Sequence, residues 1–217
     1  MRCFFALLLL VASFGLVSCK SDDDPKPYTG GEISAVSFEI LGPESIRINW
    51  AENFSDEDGF YVDRQRWPNT WQRKVLHLGP NETSVVDDSL RLGEVYYYKV
   101  YAVKGDRESE EEEVQLNFLV PHPINVGNDF NWNQPNRIRL FWTNNATWAD
   151  SIWISKQEGD QDWVVPYAVV PGNAIEFIDM DMNIEVANTW SFVSFSRGYQ
   201  SNAYLYTLMP PKKESGN

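Results

Sequence analysis

The chain contains one sequence pattern twice, and this repeat constrains its architecture more than any other feature. The stretch from Arg47 to Arg64 is followed 92 residues later by a similar stretch from Arg139 to Lys156. Trp50 and Trp142 occupy the same place in the two copies. A spacing of 92 residues is the size of a domain rather than of a solenoid repeat, so each copy should bury a core of its own.

Alternation of apolar and polar residues predicts strands throughout both copies. Ile46, Ile48 and Trp50 alternate with polar residues, and the stretch 95–103 is rich in the aromatic and branched side chains that suit a pleated sheet. Short strands recur at near-regular spacing and no helical period accompanies them. We therefore predict an all-β chain with two tandem seven-stranded antiparallel β-sandwiches, the first strand of the second copy being the least defined.

The N-terminal residues predict export. Phe4 to Val17 is a short apolar run behind a positive start, which is typical of a secretory signal and too short to span a bilayer. Leu16 to Cys19 resembles the lipobox of bacterial lipoproteins, which implies acylation of Cys19. The acidic run that follows resembles the signal that sends Bacteroidota-type lipoproteins to the outside of the outer membrane. A periplasm-facing anchor is the alternative.

These features predict the organisation of the chain. We expect a signal peptide over 1–18, an acidic flexible tether over 19–31, a first domain over 32–120, a hinge over 121–124, a second domain over 125–209 and a polar tail over 210–217.

Cysteine content and charge limit how the exported chain can be stabilised and what it can bind. Cys3 and Cys19 both lie in the N-terminal region, so no disulfide is expected in the folded domains. The net charge of -13 repels nucleic acid and anionic lipid surfaces. Membrane attachment should therefore come from acyl chains.

The first copy resembles the fibronectin type III family. The residues that carry the resemblance are Trp50, the loop 56–60, Leu90 and the alternating pattern Tyr96-x-Tyr98-x-Val100-x-Ala102. The resemblance implies that Tyr96 is the corner tyrosine, whose hydroxyl ties a loop to the sheet. In the second copy we align Trp190 with Tyr96, after a two-residue insertion, so that this bond would be absent or rebuilt.

The sequence contains little that indicates a catalytic site or a metal site. The mature chain offers two histidines, His77 and His122, and no nucleophile-elbow motif for a triad. Asp56, Glu57 and Asp58 stand together on a loop without apolar surroundings that would raise a pKa, so a solvated loop is favoured over an acid–base pair or a weak calcium site. We expect no enzyme activity, cofactor or metal.

Aromatic residues that alternate away from the core are the candidate ligand-binding residues. If Tyr96 and Tyr98 point inward, their neighbours point outward. An outward aromatic strip can stack on sugar rings or bind a protein. The alternative interpretation is that these side chains cover one another or pack between the two domains. The candidates are Tyr61, Trp67, Trp71, Tyr97, Tyr101, Trp153 and Trp163.

Three functional hypotheses follow. The first is a non-catalytic, lipid-anchored cell-surface module for binding or adhesion, with a glycan or a surface protein as partner. The second is a structural spacer or an accessory subunit of an outer-membrane complex. The third is a carbohydrate-active enzyme whose chemistry is not recognisable in the sequence.

Overall fold

Residues 26–210 are described by a computed structural model of the chain. All helix or strand structure in this range is β-strand, and no helix long and apolar enough to cross a bilayer occurs there. The expected signal peptide, Cys19 and most of the expected tail lie outside the described residues.

The first half of the chain forms two facing antiparallel sheets. Its strands are β1 (Ile33–Gly42), β2 (Ser45–Glu52), β3 (Gly59–Arg66), β4 (Gln72–Leu78), β5 (Ser84–Asp87), β6 (Glu94–Lys104), β7 (Arg107–Glu108) and β8 (Glu112–Phe118). One sheet has the order β1-β2-β5, and the other has β4-β3-β6 with β8 and the two-residue β7 both pairing with β6. We call this half the first sandwich.

The second half repeats this topology. Its strands are β9 (Ile124–Phe130), β10 (Ile138–Thr143), β11 (Ser151–Glu158), β12 (Val164–Pro171), β13 (Glu176–Asp179), β14 (Asn188–Ser196), β15 (Tyr199–Gln200) and β16 (Tyr204–Leu208). The sheets have the orders β9-β10-β13 and β12-β11-β14, with β15 and β16 pairing with β14. We call this half the second sandwich.

The predicted fold class is confirmed. Each half is an immunoglobulin-like sandwich of the fibronectin type III kind, in which seven strands of four or more residues divide between a three-stranded and a larger sheet. β9, the strand least defined in the sequence, pairs with β10 from Phe130 to Ile124.

Each sandwich closes over inward side chains that correspond at the 92-residue spacing. Burying each of these side chains contributes roughly 1.5–3 kcal/mol, and with no disulfide in the described residues this burial is the main source of stability. The corresponding pairs, all fully buried, are Ile46 and Ile138, Ile48 and Leu140, Phe60 and Ile152, Val62 and Ile154, Tyr98 and Trp190, and Val100 and Phe192.

A buried carboxylate joins the two sheets of the first sandwich. Asp87, at the end of β5, accepts hydrogen bonds from Arg64 on β3 at 2.8 Å and from the Tyr98 hydroxyl on β6 at 2.9 Å. The Ser89 hydroxyl donates a further bond at 2.7 Å. Burial favours the neutral acid, but the bonds from Ser89 and the charge of Arg64 outweigh it and hold the pKa of Asp87 below its ordinary value.

The second sandwich contains the same arrangement with different donors. Asp179 lies 3.0 Å from the Lys156 ammonium group and accepts a bond from the Trp190 indole at 2.9 Å. The Tyr167 hydroxyl donates a third bond at 2.7 Å. Lys156 and Trp190 therefore replace the arginine and tyrosine of the first sandwich. We call each arrangement the carboxylate clamp.

The strand register corrects the alignment of Trp190 with Tyr96. Trp190 pairs with Lys156 across β11 and β14, as Tyr98 pairs with Arg64 across β3 and β6. Trp190 thus occupies the position of Tyr98, and the 92-residue spacing holds without an insertion. The sequence comparison was wrong because it matched aromatic residues by type.

The corner hydrogen bond exists in both sandwiches. In the first, the Tyr96 hydroxyl accepts a bond from the backbone N–H of Arg91 at 2.9 Å, as the family resemblance implies. In the second, the Asn188 side chain accepts the equivalent bond from the N–H of Asn183 at 3.2 Å. Asn188 also donates to the carbonyls of Asn183 and Val186 at 2.6 and 3.0 Å. An amide has replaced the tyrosine and makes more local bonds.

The last residues of the expected tether, from Tyr28 onward, pack on the first sandwich. Tyr28 is 4% exposed, stacks on Phe54, and its N–H donates to the carbonyl of Glu108 at 2.8 Å. The sequence prediction was based on prolines and glycines and overlooked the one large aromatic residue among them. From Tyr28 onward the segment is part of the first sandwich.

The two sandwiches contact each other next to the linker. Ala146 and Ala149, from the segment between β10 and β11, are buried with the first core. Arg197 in the β14–β15 turn forms an ion pair with Glu44 in the β1–β2 turn. The Tyr199 ring occupies the space that a Cβ at Gly93 would need. Gly93 also has a φ of +80°, which other residues rarely adopt, so both the contact and the backbone favour glycine at this position.

Substitutions at the corner should weaken each sandwich by different amounts. Tyr96→Phe removes one hydrogen bond and should lower the free energy of unfolding by about 1 kcal/mol, whereas Asn188→Ala removes three and should cost roughly 3 kcal/mol. Urea unfolding of the chain measures both. Tyr97→Phe, one residue along β6 on the other face, is the control and should be neutral. An Asn188→Ala effect no larger than the control would contradict the rebuilt corner.

Acid should weaken the first clamp. Because the folded pKa of Asp87 lies below its unfolded value, the carboxylate contributes full stability above about pH 5 and loses it as the pH falls through about 4 toward the folded pKa. The natural chain should therefore lose more stability between pH 5 and pH 3 than Asp87→Asn, which cannot ionise. Urea midpoints over this range measure the difference. Parallel pH profiles for the two proteins would exclude this contribution.

Candidate functional site

The site is the solvent side of the β4-β3-β6-β8 sheet, which we call the outer face. The register places Tyr61 beside Tyr101, Asp63 beside Lys99 and Gln65 beside Tyr97 across β3 and β6. Since side chains alternate along a strand, these pairs point away from the core. Most candidates of the first sandwich thus share one face, as predicted, but their surroundings differ.

The most open aromatic residues lie at the end of β3. Trp67, directly after this strand, is 59% exposed, and its ring meets the Tyr97 ring at an angle of 64° with centroids 6.4 Å apart. Trp71, before β4, is half-buried and lies over the Lys99 ammonium group, 4.8 Å from the ring centroid. We call Trp67, Trp71 and Tyr97 the aromatic end of the outer face.

Tyr101 is not available to a ligand. It is 2% exposed, and its hydroxyl donates to Asp63 at 3.0 Å. Asp63 itself is 1% exposed, since the Arg73 guanidinium covers it at 2.9 Å and the N–H of Lys74 donates to it at 2.7 Å. Burial and the hydrogen bond to Asp63 raise the pKa of Tyr101. The prediction that Tyr101 belongs to an outward strip open to a ligand was therefore wrong.

This buried network was the feature that sequence reasoning missed. Alternation correctly placed Tyr101 on the outer side but could not show that Arg73, from β4, lies across it and Asp63. One signal was present: aspartate is disfavoured in the middle of a strand unless it has partners. Asp63 fixes the irregular backbone at Lys74, which has a φ of +54°.

Tyr61 is half-buried by close neighbours. His77 stacks on its ring with centroids 4.7 Å apart, and the Lys74 ammonium group lies 4.5 Å from the ring centroid. Two partners therefore already contact this ring.

The two candidates of the second sandwich do not belong to the aromatic end. Trp153 is 36% exposed and packs on Phe195 with centroids 4.5 Å apart. Trp163 is 37% exposed and directly precedes β12. Within residues 26–210 no ring contact joins either tryptophan to Trp67, Trp71 or Tyr97.

The acidic loop is used to build the first sandwich. Asp56 accepts a bond from the Tyr28 hydroxyl at 2.6 Å, and burial together with this bond raises the pKa of Tyr28 to about 12. Glu57 accepts from the N–H of Asn81 at 2.8 Å, and Asp58 from that of Gly105 at 2.7 Å. The described range contains no group of three or more His, Cys, Asp or Glu residues arranged to hold a metal.

The chain is similar to solved structures of tandem fibronectin type III domains, while no protein-family model matches it. A two-domain fibronectin type III segment of chicken tenascin has 15% sequence identity and a TM-score of 0.41, covering 81% of this chain and 98% of that chain. The FN1–FN3 domains of chicken CNTN1 have 11% identity and a TM-score of 0.34, covering 81% of this chain and 65% of that chain. These likenesses concern the fold and not the ligand.

Proposed function

We propose that the chain is a non-catalytic binding module that is anchored by lipid to the cell surface and captures glycans at the aromatic end. The fibronectin type III-like fold agrees with a binding or structural role, but the choice between such roles depends on the surface of this chain. The glycan, the lipid anchor and the surface location are the proposal.

The exposure of Trp67 is the observation that carries the glycan proposal. The Trp67 indole is 59% exposed and keeps a large apolar surface in water. Elsewhere on the outer face, lysine side chains cover the rings of Tyr61 and Trp71. Such a surface gains free energy when a flat apolar partner covers it. The C–H face of a sugar ring is a partner of this shape.

Polar groups beside the indole suit the hydroxyls of a sugar. Gln65 and Gln115 flank Tyr97 on the neighbouring strands β3 and β8. Each amide donates one hydrogen bond within the chain, to Asn69 at 2.6 Å and to Asn117 at 3.0 Å. The second N–H and the oxygen of each amide remain for a ligand with many hydroxyl groups. An aromatic platform with amides beside it supports carbohydrate more than a purely apolar partner.

Loss of the indole should abolish most of the binding. In affinity electrophoresis through soluble polysaccharides, Trp67→Ala should raise the dissociation constant obtained from the retardation at least about tenfold, equivalent to about 1.4 kcal/mol. Trp163→Ala removes an exposed indole from the second sandwich and is the matched control, expected to bind normally. Equal binding by the two variants, or no retardation by a broad panel of polysaccharides, would contradict the site.

The proposal of a surface location is supported by the lipobox-like sequence at Cys19 and the acidic residues after it. Protease treatment of intact cells should therefore degrade the folded sandwiches, while a periplasmic marker stays intact. Cys19→Ala should release the chain from the membrane fraction. Full protection of the sandwiches in intact cells would refute the surface assignment.

The second candidate function is that of an accessory subunit in an envelope complex. The solvent side of the β12-β11-β14-β16 sheet supports it: Trp153, Val169 and Leu205 are 36%, 53% and 60% exposed there, among serine and threonine residues and without a charged neighbour on β11, β14 or β16. An uncharged apolar sheet face is typical of a protein interface. This role predicts stable co-purification with an envelope protein and no dependence on sugar.

A further inference from the structure

A basic cleft lies beside the aromatic end, on the other side of β3. It has a volume of about 720 Å³ and opens where the β3–β4 turn faces the segment before β6. Because side chains alternate, Arg64 and Arg66 point toward the cleft while their neighbours Gln65 and Trp67 belong to the outer face. Six of the residues that line it are Arg64, Arg66, Asn69, Thr70, Gln72 and Arg91.

Two of the three guanidinium groups in the cleft are uncompensated. Arg64 is neutralised by Asp87 and held in place by Gln72 at 3.0 Å. Arg66 and Arg91, in contrast, form no ion pair with any carboxylate of residues 26–210. Burial raises the pKa of the Tyr96 hydroxyl in the cleft; the charge of Glu94 raises it further, and the charges of Arg64 and Arg66 lower it.

This local positive charge lies in an acidic chain. The net charge is -13, and six of the ten lysine and arginine residues in residues 26–120 have an acidic partner. Two like charges that share a cleft without a counterion repel each other, which costs stability. A bound anion removes this repulsion.

We propose that the cleft binds a single anionic group, a carboxylate or a sulfate ester, carried by the glycan whose neutral rings stack at the aromatic end. The inference rests on the proposed function and names its ligand class as an acidic glycan. Guanidinium groups hold carboxylate and sulfate by paired, charge-assisted hydrogen bonds. Asn69, Thr70 and Gln72 supply hydrogen bonds for the hydroxyls around the anionic group.

The charge of the whole chain selects a sparsely charged ligand. At physiological ionic strength a charge is screened over about 8 Å, so an anion inside the cleft is attracted mainly to Arg66 and Arg91. A polyanion would extend beyond the cleft and meet the acidic surface of the chain, which repels it. A mainly neutral polysaccharide with isolated acidic side groups satisfies both conditions.

The test uses polysaccharides that differ only in the anionic group. The probes are glucuronoxylan and its carboxyl-reduced form, together with a sparsely sulfated galactan and its desulfated form. Arg66→Gln and Arg91→Gln each remove one cation that has no ion pair within residues 26–210. Arg137→Gln, in the second sandwich, is the matched control, because Arg137 is likewise without an ion pair in that range.

Isothermal titration should show that the chain binds one acidic form at least about tenfold more tightly than its neutral counterpart, which corresponds to about 1.4 kcal/mol. Each cleft variant should lose that preference and keep the affinity for the neutral form, while Arg137→Gln should change neither. The pair that shows the preference identifies carboxylate or sulfate as the group bound.

Failure of this inference is distinguishable from failure of the proposed function. If acidic and neutral forms bind equally and Trp67→Ala abolishes both, the site is a glycan site and the cleft proposal is wrong. If no polysaccharide binds, both proposals are overturned. A preference for the acidic form that survives Arg66→Gln and Arg91→Gln would also overturn the cleft. Binding of an acidic peptide without any glycan would assign the cleft to a protein partner and refute the glycan class.

Discussion

The carboxylate clamp is the interaction on which both sandwiches depend. A buried carboxylate must be paired and hydrogen-bonded, because leaving it uncompensated costs several kcal/mol. Asp87 and Asp179 meet this requirement by drawing donors from the opposite sheet. The donors changed between the copies, from arginine and tyrosine to lysine and tryptophan, while the acceptor stayed the same. What the fold requires at these positions is a cation and a neutral N–H or O–H group.

The clamp also connects the core of the first sandwich to its candidate sites. Arg64 pairs with Asp87 and lines the basic cleft, so the residue that joins the sheets also fixes one wall of that cleft. Trp67 and the β3–β4 turn follow on the same strand. Ligand-binding residues often occur in the loops where rigid strands end. The strand fixes the position of these residues, and their side chains are not buried in the core.

The two copies share a core but differ at the surface. At the centre of the outer face of the first sandwich, Asp63, Arg73 and Tyr101 bind one another. These aromatic and charged groups are therefore not free to contact a ligand. The corresponding face of the second sandwich is apolar around Trp153 and Leu205. A duplicated fold can therefore hold two different surfaces, which is why the fold alone does not define the function.

The sequence by itself determined the all-β class, the duplication and nearly all the strands, because alternation and spacing are local properties that packing did not override. It also placed Tyr61, Tyr97 and Tyr101 on one side of a sheet. Only the tertiary structure decided which of these rings is open. Burial of Tyr101 depends on Arg73, which comes from a neighbouring strand, and the replacement of the corner tyrosine by Asn188 depends on strand register. Both are relations between residues distant in the chain, and no local pattern specifies them.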